Sequence, residues 1–214
     1  MDLSNITINK HSSIRIAGSR ILYFDPYELQ EETHDADYIF ITHDHYDHFD
    51  PPSVLKLIKA DTLVVAPETM RDKLLKEIQL DEANCVFCQP GDVNELDQLW
   101  VQAVPAYNIL KPFHTKDSKW VGYIVQMDGL TYYIAGDTDV NDDVRKVKCD
   151  LALIPIGGHF TMDKEQAAEL ICEMKPKAVI PTHYGAIVGR IEDGTDFKDH
   201  ICAADKEIHV ELKI

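Results

Sequence analysis

The chain has little of what stabilises a small secreted domain or a membrane protein. Its five cysteines (Cys85, Cys88, Cys149, Cys172 and Cys202) are an odd number, which suits a reducing compartment better than a disulfide framework. Cys85 and Cys88 form a lone CxxC. With no second pair at matching spacing a structural zinc lacks half its ligands, so the pair reads as small apolar residues of a strand. No apolar run approaches the ~20 residues of a spanning helix, and the opening MDLSNITINK has no signal-peptide core. A soluble, cytoplasmic protein without membrane contact is expected. Basic residues are also scarce: 21 Lys and Arg stand against 37 Asp and Glu, a net charge of −16 that repels polyanions and disfavours nucleic acid as a partner. Low-complexity segments and long linkers are missing, and 214 residues suit one domain spanning 1–214, or one fused from two similar halves.

What is present is a repeated alternation. Short strands are expected at 6–8, 13–17 and 21–24, with Gly18 turning the second hairpin. From Tyr38 a strand (38–41), a helix opened by Pro51-Pro52, a strand (62–66), a helix (68–78) and a strand (85–88) follow. The rhythm then restarts with strands at 99–104, 120–127 and 131–135, the last two joined through Asp128-Gly129. A strand (151–156), a helix (164–174) and strands at 178–181 and 208–212 close the chain. Hairpins followed by strand-helix units, twice over, predict an α/β (α+β) fold: a four-layer αββα sandwich of two packed sheets with helices outside.

Directly after the first buried strand, residues 43–50 read His-Asp-His-Tyr-Asp-His-Phe-Asp. In extended chain His43 and His45 point the same way and Asp44 the other, so the two imidazoles can share a cation. Asp47 and His48 follow where the chain must turn toward Pro51, and they offer ligands to a second ion. Imidazole with carboxylate suits zinc, with manganese and iron as alternatives, and two ions about 3.5–4 Å apart make a hydrolytic clamp. Remote ligands are expected at other strand ends. Asp137 follows Gly136, which permits close approach, and His183 ends the strand at 178–181.

The set His43-x-His45-x-Asp47-His48, the Gly-Asp-Thr at 136–138 and the strand-end His183 resemble the metallo-β-lactamase fold superfamily, over nearly the whole chain. Phe24-Asp25-Pro26, Ala135-Gly-Asp-Thr-Asp139, Pro155-Ile-Gly-Gly-His159 and Pro181-Thr-His-Tyr-Gly185 are most similar to the branch of ascorbate-6-phosphate lactonase and N-acyl-phosphatidylethanolamine phospholipase D. The resemblance implies that His43 and His45 hold one metal, that Asp47, His48 and His183 hold the second, and that Asp137 bridges. It also implies a third histidine for the first metal after a strand reading Pro-Ala-Trp-His. Here the stretch is Pro105-Ala-Tyr-Asn108. An amide oxygen is a poorer zinc ligand than imidazole, and His114, six residues on, is the candidate to fill the place.

The chemistry expected is hydrolysis of an ester, lactone, amide or phosphodiester by a hydroxide shared between two divalent cations, with Asp47 orienting it and carrying its proton. A non-hydrolytic iron sensor, an oxidoreductase-like protein or an inactive binding module on the same fold are the alternatives. His159, after Gly157-Gly158, either contacts substrate or donates a proton, or merely packs; His11 borders the same pocket. His34, His200 and His209 are ordinary. The substrate is expected to be a small molecule, and an anionic one would meet Lys111, Lys116, Lys119 or Arg190. Homo-oligomerisation is open. Asp163, three residues before Gln166, reads as a helix cap. Asp137-Thr-Asp139-Val-Asn141 imitates a calcium loop, but Asp142 and Lys148 stand where that loop needs Gly and Glu.

Overall fold

The computed structural model describes residues 2–214. Among these residues thirteen strands form two sheets. In the first, β1 (Ile6–Lys10), β2 (Ser13–Ala17), β3 (Ile21–Phe24), β4 (Tyr38–Phe40), β5 (Leu63–Pro67) and β6 (Cys85–Cys88) lie side by side in chain order. The second runs β13 (His209–Val210), β12 (Ala178–Thr182), β11 (Leu151–Pro155), β10 (Leu130–Ile134), β9 (Val121–Met127), β8 (Leu99–Pro105) and β7 (Val93–Leu96). Each sheet opens with antiparallel hairpins and continues with parallel strands, most of them joined through α-helices, and in both the parallel part begins where the sequence changes rhythm.

Alternation along the strands decides which side chain faces which layer. Leu22, Phe24, Phe40 and Val65 point inward and meet Val101, Tyr123, Val125, Leu153 and Ile180 of the other sheet, forming the central core. Their neighbours Tyr23, Ile39, Val64 and Ala66 point outward under α1 (Pro51–Leu55) and α2 (Arg71–Ile78). On the second sheet Tyr133, Ala152, Ile154 and Val179 pack outward against α3 (Lys164–Met174) and α4 (Asp193–Ala204). Burying both faces of the parallel strands explains their near-continuous apolar runs, and the αββα sandwich follows. No helix among the described residues is long and apolar enough to cross a membrane.

Differences from the expected elements are local. The helix expected over 68–78 is split into a 3-10 turn (Glu68–Met70) and α2. The last strand is two residues long, since only Ala178 and Val179 offer it partners. β7 and α4 are additional. Asp163 caps α3 as expected: its side chain accepts from Gln166 N–H while the Gln166 side chain accepts from Asp163 N–H. Cys85 and Cys88 are free thiols in β6, and Cys88 is buried.

Candidate metal centre

Parallel strands of both sheets end at one edge of the sandwich, and each exit delivers a polar side chain there. β3 ends at Asp25, β4 runs into His43 to His48, β8 leads to Asn108 and His114, β10 to Asp137, and β12 to His183. The turn between β1 and β2 adds His11. Several of these exits need a left-handed backbone: φ is 45° at Asp25, 56° at His11, 55° at His114 and 57° at His183. For a residue with a Cβ that conformation costs about 1 kcal/mol or more, so the geometry is held by the surrounding structure rather than by local preference. Gly136 (φ 63°) lets the β10 exit approach Thr42 of the other sheet, because a Cβ there would sit 3.0 Å from the Thr42 Cβ.

The structure brings together all seven residues proposed as ligands. His43, His45 and His114 form one group, with ring centres 4.8 Å apart for His43–His45, 5.0 Å for His43–His114 and 4.7 Å for His45–His114. Asp47, His48 and His183 form a second, joined by His11. Asp137 lies between them. Its Oδ2 is 3.2 Å from His114 Nε2 and 3.2 Å from His183 Nε2, and its Oδ1 is 3.3 Å from His48 Nε2. The Asp47 carboxylate stands 3.8 Å from both His48 Nε2 and His183 Nε2. His45 is half-buried while the other six are buried, so solvent reaches the cluster past His45 and the edge of Asp47.

These distances suit cations. A metal held at about 2.0–2.1 Å by tetrahedral ligands puts those ligands roughly 3.3 Å from one another. His48 Nε2, His183 Nε2 and Asp137 Oδ1 are buried without a hydrogen-bond partner, a cost that a shared ion removes. Burial works to raise the Asp137 pKa, yet the facing imidazoles of His183, His48 and His114 hold it well below the usual carboxylate range. Burial pushes His43 well below the ordinary imidazole value, which keeps it neutral. Burial also opposes protonation of His48, but the facing carboxylates of Asp137 and Asp25 outweigh it and raise its pKa.

Asp25, seen in the sequence only as part of a motif, sits behind both groups. It is buried and accepts three hydrogen bonds, from Thr42 N–H (2.7 Å) on Oδ1 and from Thr42 Oγ1–H (2.7 Å) and His48 Nδ1–H (2.8 Å) on Oδ2. With its proton given to Asp25, Thr42 Oγ1 accepts from His43 Nδ1–H at 2.9 Å. One carboxylate therefore leaves the Nε2 lone pairs of His43 and His48 free to face the centre. Trp120 is a second unforeseen member, its ring 4.9 Å from those of His43 and His45 and 5.3 Å from that of His114.

Asn108 is a brace. Its amide nitrogen donates to Phe160 O (2.6 Å) and Phe113 O (3.1 Å), which uses both hydrogens, and its backbone N–H bonds His114 O (2.7 Å). Those bonds fold the loop so that His114 takes the third imidazole place. His159 is exposed, its ring edge-on to Phe160, and it joins none of the groups that can hold a metal among the described residues. Of the cations near the mouth, Lys111 pairs with Asp139, Lys116 with Asp143 and Arg190 with Asp193. Large apolar side chains are exposed on the same loops, Leu110 and Phe113 beside His114 and Tyr46 between His45 and Asp47.

Residues 5–183 match the family described as beta-lactamase superfamily domain. A metal-dependent hydrolase from Pyrococcus abyssi is 31% identical over 217 residues, 95% of this chain and 93% of its own. Among solved structures, a provisionally assigned metal-dependent hydrolase from Parabacteroides distasonis is similar with a TM-score of 0.79 at 30% identity, covering 97% of this chain and 91% of that one. A metallo hydrolase from Ignicoccus hospitalis has a TM-score of 0.77 over 97% of this chain and 93% of its own; at 23% identity it bears on the fold alone.

Proposed function

The chain belongs to the beta-lactamase superfamily, and from that membership we propose that it is a metal-dependent hydrolase working with two divalent cations on a small ester, lactone or phosphodiester. The observation that carries this reading is the convergence of two imidazole groups on the single Asp137 carboxylate. His43, His45 and His114 would hold one ion, Asp47, His48 and His183 the other, and Asp137 would reach both. Five imidazoles with two carboxylates suit zinc, with manganese or iron as alternatives.

Two such cations supply Lewis acidity and make water a nucleophile near neutral pH. The protein's own part is placement. Asp25 directs the Nε2 atoms of His43 and His48 inward. Asp47, whose side chain keeps an edge toward solvent, would accept a proton from the attacking water and pass it to the leaving group. The exposed Tyr46, Leu110 and Phe113 favour a substrate with an apolar part. An anionic one would have to compete with the carboxylates that already hold Lys111, Lys116 and Arg190.

Metal analysis of the purified protein, followed by a panel of lactones, carboxylic esters and phosphodiesters assayed with and without chelator, tests the reading. Turnover that chelator abolishes and added cation restores is expected, and Asp47→Asn should lower kcat far more than it raises KM. A metal-replete protein that hydrolyses none of these would favour a sensor or binding role instead.

A further inference from the structure

Ring separations tell which imidazoles can share an ion. Two imidazoles bound through Nε2 to one cation at about 2.0–2.1 Å and near the tetrahedral angle have ring centres roughly 5 Å apart. His43, His45 and His114 meet that condition, and so do His48 and His183 at 5.4 Å. His11 does not. Its ring centre is only 3.8 Å from that of His183, tilted by 42°, and 6.2 Å from that of His48. It leans on the His183 ring instead of standing beside it around a common ion. Yet both His11 nitrogens are buried without a satisfied hydrogen bond, and Nε2 lies 3.4 Å from Asp47 Oδ2.

We propose that His11 is a positioning residue for the second cation: its Nε2–H donates to Asp47 and its ring braces His183, so it aims two ligands without touching the ion. This rests on the two-cation reading above. The Nε2–H tautomer follows from the contact itself, because the other tautomer would press a lone pair against a carboxylate oxygen. Backbone geometry supports the pairing. His183 N–H donates to His11 O at 3.2 Å, and both residues hold the left-handed conformation, so the β1–β2 turn and the β12 exit are fastened back to back. Among the described residues the His11 ring meets only the rings of His48, edge-on, and His183, tilted, so its influence is confined to one of the two ions.

Three proteins test this: the wild type, His11→Phe, which keeps a ring and loses the donor, and His11→Gln, which keeps an N–H of similar reach. Apo forms are titrated with Zn2+ against chelators of graded affinity, and with Co2+ to read ligand number from the d–d absorption. The expected result is a loss of about 10–100-fold in one binding step for His11→Phe, with the other step unchanged and the Co2+ spectra retaining their ligand number. His11→Gln should recover most of the loss, and His11→Phe placed in an Asp47→Asn background should cost little more than Asp47→Asn alone. Wild-type affinity in His11→Phe overturns the proposal. So does a Co2+ spectrum with one nitrogen fewer and no rescue by glutamine, which would make His11 a ligand. A wild type that binds fewer than two ions ends the two-cation reading, and the His11 role falls with it.

Discussion

Asparagine at position 25 is the sharpest single perturbation of the centre, because one nearly isosteric change should disturb both ions. Asp25 presents two acceptor oxygens to three donors. Asparagine keeps one oxygen. If that oxygen faces Thr42 N–H, the new amide N–H faces His48 Nδ1, which must then become the acceptor and shift its proton to Nε2, the atom turned toward Asp137. If the oxygen faces His48, the amide N–H opposes the Thr42 N–H, which cannot turn away. Losing the outer partner of a ligating histidine commonly weakens metal binding about 10–100-fold, roughly 1.4–2.7 kcal/mol. Since His48 leans on Asp25 directly and His43 through Thr42, both binding steps should weaken, the His48 step more. Thr42→Val removes only the hydroxyl link and should weaken the His43 step alone. Chelator-competition titrations of the apo proteins, with thermal melts to check folding, measure this. Wild-type affinity for both ions in Asp25→Asn would refute the role of Asp25, and equal losses in Thr42→Val at both steps would refute the relay.

Cations that bind only the folded state should raise Tm: at one hundred times Kd each contributes about 2.7 kcal/mol, which for a chain of this length is roughly 5–11 °C, and a melt that ignores chelator would contradict the site. Trp100→Phe leaves Trp120 as the single tryptophan, beside His43, His45 and His114; its fluorescence should be quenched as Cu2+ or Ni2+ fills that group, and an unquenched signal at full occupancy would place the ion elsewhere. Gly157→Ala would put a Cβ 2.3 Å from His183 O and 2.6 Å from Val188 Cγ2. It should cost roughly 1–3 kcal/mol of stability and weaken the ion bound by His183, and unchanged melting and affinity would show that this loop yields freely.

Sequence pattern was informative where one residue's neighbours along the chain dictate its surroundings. The apolar strands, the capping box at Asp163 and Gln166, and the crowded exit at His43 to His48 are of this kind. α4 escaped because it opens with Asp-Gly-Thr-Asp and places only Phe197 and Ile201 deep in the core, too sparse a stripe to stand out. β7 escaped because Val-Asn-Glu-Leu at a sheet edge need not alternate cleanly. At the centre, Asp137 and His183 were readable as strand ends. His114 was the named candidate for the third imidazole, but how it gets there was not readable, since that depends on two carbonyls from separate loops meeting the Asn108 amide. Asp25 and Trp120 contact residues distant in sequence, and nothing adjacent to them signals it; His11 was expected at the pocket, but its contacts with Asp47 and His183 were not. Gly157-Gly158 marks a close approach to His183, but the histidine that follows points to solvent.

The centre draws its donors from both layers of the sandwich. His43, His45, Asp47 and His48 leave the first sheet, while His114, Asp137 and His183 leave the second. An ion held by Asp47 and His183 would be a clasp across the seam, fastening the rim where the central core comes nearest to water. Starved of metal, the molecule would be more than idle: its rim would gape more often, and proteases would find it there first. Nutrient supply would then govern how long each copy survives as well as how fast it works.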